Sequence, residues 1–110
     1  FIFIYYLYKK GYTDSMRRPK KSKYKSVVIR KKRYYFYEIT WMDPTGDSGH
    51  ATAHDSFGLI PSIMVTHAYL FEKGKKYVWT FGSHEKDDEL FSDRNVFPRG
   101  CIIKMEKVTL

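Results

Sequence analysis

Residues 63–83, IMVTHAYLFEKGKKYVWTFGS, constrain the fold more than any other stretch of this chain. Two runs rich in β-branched and aromatic residues flank a charged turn with one glycine, the pattern of a β-hairpin. In the first arm Ile63, Val65, Tyr69 and Phe71 fall on one face and Met64, Ala68 and Leu70 on the other. A strand with one wet face alternates apolar with polar; this arm is apolar on both and is expected to be central. The second arm sets Tyr77, Trp79 and Phe81 against Val78, Thr80 and Gly82. With Lys73-Gly74 as a two-residue loop, Leu70 faces Tyr77 and Ala68 faces Trp79, small against large. That register makes Trp79 a core residue and gives Gly74 the positive φ such a loop needs. A slip of one residue reverses every face.

Three further strands can be set against the hairpin. Residues 26–29 (SVVI) form a short one, and Arg30-Lys31-Lys32-Arg33 interrupts it before residues 34–41 (YYFYEITW) begin a longer one. There Tyr35, Tyr37, Ile39 and Trp41 share a face, with Tyr34, Phe36, Glu38 and Thr40 opposite. Residues 101–108 (CIIKMEKV) close the domain, with Cys101, Ile103 and Met105 expected inward. Between them, residues 42–62 are irregular, with turn chemistry at Asp43-Pro44 and Gly46-Asp47. Asp55 or Ser56 is expected to cap one helical turn ending near Gly58. Residues 85–93 (EKDDELFSD) read as an acidic loop and residues 97–100 (FPRG) as a turn. Four to five strands imply a mainly all-β fold: a small curved antiparallel sheet, or a barrel of the SH3-like or Sm-like kind, rather than a seven-stranded sandwich. At 110 residues there is room for one domain.

Charge divides the chain. The formal net charge is +8, but residues 1–33 hold twelve Lys/Arg and one Asp, +11, and residues 34–110 hold eight Lys/Arg and eleven Asp/Glu, −3. The expected layout is thus a basic N-terminal arm over residues 1–25, disordered on its own, and one β domain over residues 26–110. Residues 1–8 (FIFIYYLY) are apolar, with positive charge after them rather than before, unlike a secretory signal. Met16 is expected to be the natural start and residues 1–15 dispensable. Arg17, Arg18, Lys20, Lys21, Lys23, Lys25, Arg30, Lys31, Lys32 and Arg33 are candidate phosphate contacts, with Tyr24 and Tyr35 as stacking platforms for nucleic acid. Two other readings stand beside this one. The tyrosines can be core and the lysines merely solvated, or residues 42–62 or a barrel face can engage a host or phage protein.

Enzymatic signatures fail on inspection, and a non-enzymatic binding protein is the expectation. Gly46-Asp47-Ser48-Gly49 matches the nucleophile motif of chymotrypsin-like proteases over four residues, but a His base and buried Asp held by two barrels do not fit in this length. A turn is the better reading. His50 and His54 stand four apart with Asp47 and Asp55 nearby, yet a catalytic zinc needs three ligands on a defined element. His67 and His84 read as strand-face residues. No metal and no cofactor are expected. The one cysteine, Cys101, excludes an internal disulfide, reads as packing, and fits a reducing, cytoplasmic compartment. No apolar run approaches the roughly 18 residues of a bilayer span.

A layout of spaced motifs carries one resemblance. Trp41-Met42-Asp43 ends an early strand, a Ser/Gly turn follows, Pro61 precedes the central hairpin, and Pro98-Arg99-Gly100-Cys101-Ile102 leads into the last strand. From Trp41 to the end this resembles a group of small, uncharacterised bacteriophage proteins. The resemblance implies a compact β domain of phage or prophage origin and implies no activity. The basic arm lies outside it.

Overall fold

The computed structural model describes residues 23–110, so what was expected of residues 1–22 lies outside the described residues. In chain order the elements are β1 (Ser26–Ile29), β2 (Lys32–Asp43), a single helical turn α1 (Ala53–Ser56), β3 (Ser62–Lys73), β4 (Tyr77–Phe81), β5 (Ser83–His84), β6 (Phe91–Ser92), β7 (Asn95–Pro98) and β8 (Ile102–Lys107). The fold is mainly β, as the strand pattern requires. One antiparallel sheet runs β1-β2-β3-β4-β7, with β8 also paired to β2, and β5 and β6 form a separate ladder. β3 is central, as its two apolar faces demand. The sheet stays open. Among the described residues no ladder joins β7 to β1 or β8, because a 3-10 turn (Arg99–Cys101) carries the chain from β7 on one side of the sheet to β8 beside β2.

Residues paired across a ladder share a face, so the register sorts the core. On the Tyr35 face, Ile39 and Ala68 are buried together with Val78 and Phe97, which pair β4 to β7. Trp41 sets its ring 5.1 Å from Phe97, and its Nε1 donates to Thr66 Oγ1 at 2.9 Å. On the Tyr34 face, Ile29, Tyr34 and Phe81 form a buried cluster with Val27, Tyr69 and Phe91 around it. Phe81 is the hub, with ring centroids 4.7 Å from Phe91 and 5.4 Å from both Tyr34 and Tyr69. Burying one such side chain contributes about 1.5–3 kcal/mol. The short β5–β6 ladder serves this cluster by delivering Phe91.

Two bulges change the faces that simple alternation assigns. The β3–β4 register runs Tyr69↔Phe81, Leu70↔Thr80, Glu72↔Trp79, Lys73↔Val78. Phe71 is the extra residue, its ring stacked on Tyr34 at 6.1 Å and edge-on to Phe91 at 5.1 Å. The expected pairs Leu70–Tyr77 and Ala68–Trp79 therefore do not form. Val78, Thr80 and Phe81 are buried, and Trp79 is 39% exposed, edge-on to Tyr77. Gly74 has no positive φ. Its requirement is space: a Cβ there would lie 3.1 Å from the Trp79 indole. The second bulge falls in β2–β8, where Trp41 faces Ile102 and Thr40 faces Lys104. Ile103 is left over and turns outward, and Ile102 and Met105 take the inner positions. Cys101 is half-buried in the 3-10 turn rather than in the strand.

Elsewhere, Thr52 rather than Asp55 or Ser56 caps α1, accepting from Asp55 N–H at 3.1 Å. The paired region also reaches back to Lys23. Lys25 N–H donates to Val108 O at 2.8 Å and Leu110 N–H to Lys23 O at 2.8 Å, so residues 23–25 lie antiparallel to residues 108–110.

Candidate nucleic-acid interface

The charged run that separates the first two strands is itself the hairpin turn. Arg30 and Lys31 take φ of 49° and 68°, the two left-handed positions of the turn whose twist suits a two-residue hairpin. That turn fixes the register Val28↔Arg33, Ser26↔Tyr35. Arg33 and Tyr35 thus share a face, and Arg33 Nη1 donates to Ser26 Oγ at 2.6 Å. The pairing of residues 23–25 with 108–110 adds Tyr24, edge-on to Tyr35 at 6.4 Å. β8 adds Lys107, opposite Tyr37 in the ladder, with its ammonium 4.3 Å above the Tyr35 ring and 5.1 Å above Tyr24. Lys23 reaches the Tyr24 ring at 5.3 Å. Three half-buried tyrosines and three cations therefore occupy one surface, each cation–π contact contributing about 0.5–1 kcal/mol at such exposure.

The other candidates are distributed differently. Lys25 and Lys32 lie on the opposite face, Lys25 over Phe36 at 4.1 Å and Lys32 over Tyr34 at 5.3 Å and Phe71 at 5.9 Å. Lys31 is exposed at the turn. Arg30, beside it, donates through Nη2 to Asp88 Oδ1 at 2.7 Å, joining the acidic β5–β6 loop to the basic turn. The same oxygen accepts the Glu89 N–H at 2.8 Å. That backbone donor first, and Arg30 second, hold the Asp88 carboxyl below its ordinary pKa. Arg17, Arg18, Lys20 and Lys21 lie outside the described residues. Tyr37, one of the aromatic residues 34–37 beside the basic run, joins the site, and so does Lys107, which was not singled out. Only the pairing of the last strand with β2 brings Lys107 there, and nothing local in CIIKMEKV announces it.

The long loop holds no such assembly. Asp47 Oδ1 accepts the Gly49 N–H at 2.8 Å, so the Gly-Asp-Ser-Gly run closes on itself as a turn. Among the described residues no three His, Cys, Asp or Glu side chains come close enough to hold a metal ion together. Among them, too, no helix is long and apolar enough to cross a membrane. No family model, no curated protein and no solved structure matches this chain.

Proposed function

We propose that this protein binds nucleic acid, favouring single strands, on the Tyr35 face of its sheet. The observation that carries the reading is the Tyr24–Tyr35 pair with Lys107 above both rings and Lys23 and Arg33 beside them. A base that stacks on Tyr35 displaces an ammonium that is only weakly held, and that ammonium then meets the phosphate of the same nucleotide. Rings and cations so interleaved suit a strand whose bases are unpaired, because duplex bases keep their faces to themselves. Arg17, Arg18, Lys20 and Lys21, outside the described residues, add positive charge that favours a polyanionic partner. The cytoplasm of a host cell is the setting we infer, with a phage-type origin supported by the resemblance of residues 41–110. A second reading, engagement of a host or phage protein through residues 42–62, is favoured by the exposure of Phe57 (85%) and Ile60 (68%).

Fluorescence anisotropy on labelled single- and double-stranded oligonucleotides across a salt series tests the proposal. Five or six phosphate contacts give a log–log slope of about −4 on single strands and about −5 on duplex. Tyr35→Ala is expected to weaken single-strand binding about tenfold without changing the slope, because stacking is insensitive to salt. Lys107→Ala is expected to flatten the slope by about 0.7 on single strands. If neither oligonucleotide binds below about 100 μM at low salt, weaker than ordinary non-specific binding, the nucleic-acid reading fails and the protein-partner reading takes its place.

A further inference from the structure

β3 is twelve residues long, but its neighbours do not cover it evenly. β2 runs beside Ser62–Tyr69 on one side, and β4 runs beside Tyr69–Lys73 on the other. Over residues 62–68, among the described residues, no strand pairs with the β4 side. Edge strands in soluble proteins are blunted by Lys, Pro, inward charge or a bulge. This edge reads Ser-Ile-Met-Val-Thr-His-Ala, without any of these. Its flanks are apolar as well. Ile63 (58% exposed), Val65 (51%) and, directly opposite Ile63 on β2, Met42 (38%) make a stripe on the Tyr34 face, and Met64 (42%) lies on the other face.

We propose that this edge pairs antiparallel with the same edge of a second copy, about a twofold axis at Val65. Three features select a second copy over another strand. First, length and register fit: with Val65 opposite Val65, Pro61 of the second copy falls opposite Tyr69, the first β3 residue that β4 covers. Proline has no N–H to offer a ladder, so each strand ends where the other's β4 begins. Second, the charge is self-compatible. The opposed pairs are Ser62–Ala68, Ile63–His67, Met64–Thr66 and Val65–Val65, with no Lys, Arg, Asp or Glu among them, and like charges are what a self-pairing must avoid. Third, an isologous pairing covers both open edges in one step and closes, where a foreign strand leaves its own outer edge bare. The joined segment spans about 23 Å. It merges the two Met42–Ile63–Val65 stripes into one, burying backbone edge and apolar flank together. The residues involved are separate from the Tyr24–Tyr35 surface, so this inference does not depend on the nucleic-acid reading.

Sedimentation of the full chain without nucleic acid is expected to show a mass that doubles with rising concentration. Val65→Lys places two ammoniums face to face on the axis and is expected to raise the dissociation constant about tenfold or more, with its circular dichroism unchanged. A second variant keeps the test decisive if that one misfolds. In a Cys101→Ser background, Val65→Cys is expected to form a disulfide-linked dimer on mild oxidation, because directly opposed Cα atoms lie about 4.5–5.5 Å apart. Thr66→Cys, whose counterpart across the axis is Met64, is expected to link far less. A full chain that stays monomeric at every concentration overturns the proposal. So does a dimer that survives Val65→Lys, a dimer that Val65→Cys does not link, or one that forms only after residues 1–15 are removed.

Discussion

Phe81 and Trp79 stand two positions apart on the same strand, and the molecule treats them differently. Phe81 is fully buried among Tyr34, Tyr69 and Phe91, whereas Trp79 lies half-exposed over Gly74 and beside Tyr77. Phe81→Ala is expected to cost about 3–5 kcal/mol, as aromatic truncations in cores do. Trp79→Ala, which alternation alone puts in the same range, is expected to cost about 1 kcal/mol. Urea unfolding of both variants measures the difference, and equal losses would contradict the buried hub. A second residue-scale prediction concerns pH. Asp88, held by Glu89 N–H and Arg30, has a folded pKa below its unfolded one. Its ionised form therefore favours the folded hairpin above the ordinary aspartate range, and that contribution fades as pH falls through the lowered value. An NMR titration of the Asp88 carboxyl should give a midpoint below that of an unstructured aspartate, and Arg30→Ala should move it part of the way back.

Among elements, the β1–β2 turn makes the clearest demand on its residues. Left-handed φ values at Arg30 and Lys31 cost about 1–2 kcal/mol per residue for side chains with a Cβ, and Asn-Gly is the pair that suits the geometry. Replacing Arg30-Lys31 by Asn-Gly is expected to raise stability by about 1–2 kcal/mol, seen as a melting temperature several degrees higher. Because Arg30 is already occupied by Asp88, the proposed nucleic-acid binding should lose less affinity on Arg30→Ala than on Arg33→Ala. This turn also shows what can be read from the chain. The break between SVVI and YYFYEITW was visible as a run of charge, but its hairpin geometry was not, since neither Gly nor Asn marks it. The strand character of β2, β3 and β4 followed from their β-branched and aromatic runs, and the central place of β3 from its being apolar on both faces. The bulges at Phe71 and Ile103 did not, because one inserted residue reverses every later face and leaves no local trace. Of the candidate surface, Tyr24, Tyr35, Lys23 and Arg33 were legible from proximity in sequence. Lys107 was not, because a long-range ladder delivers it.

For the molecule as a whole, the telling ladder is the one between β2 and β8, which joins Tyr37–Trp41 to residues near the end of the chain. A protein ending at Cys101 is expected to aggregate, and a peptide of residues 102–110 added during refolding is expected to rescue it; light scattering reads both results. The consequence lies in the timing of synthesis. The sixty-four residues that follow Asp43, up to Lys107, take about three to thirteen seconds to translate at about 5–20 residues per second. Throughout that interval the outer edge of β2 stands without its partner on the ribosome, and once β3 has been made its uncharged edge stands open as well, on the far side of the β2–β3 pair. Crowded polysomes are then where this chain meets its own copies most readily, so its yield should fall with expression rate more steeply than the stability of the finished fold foretells.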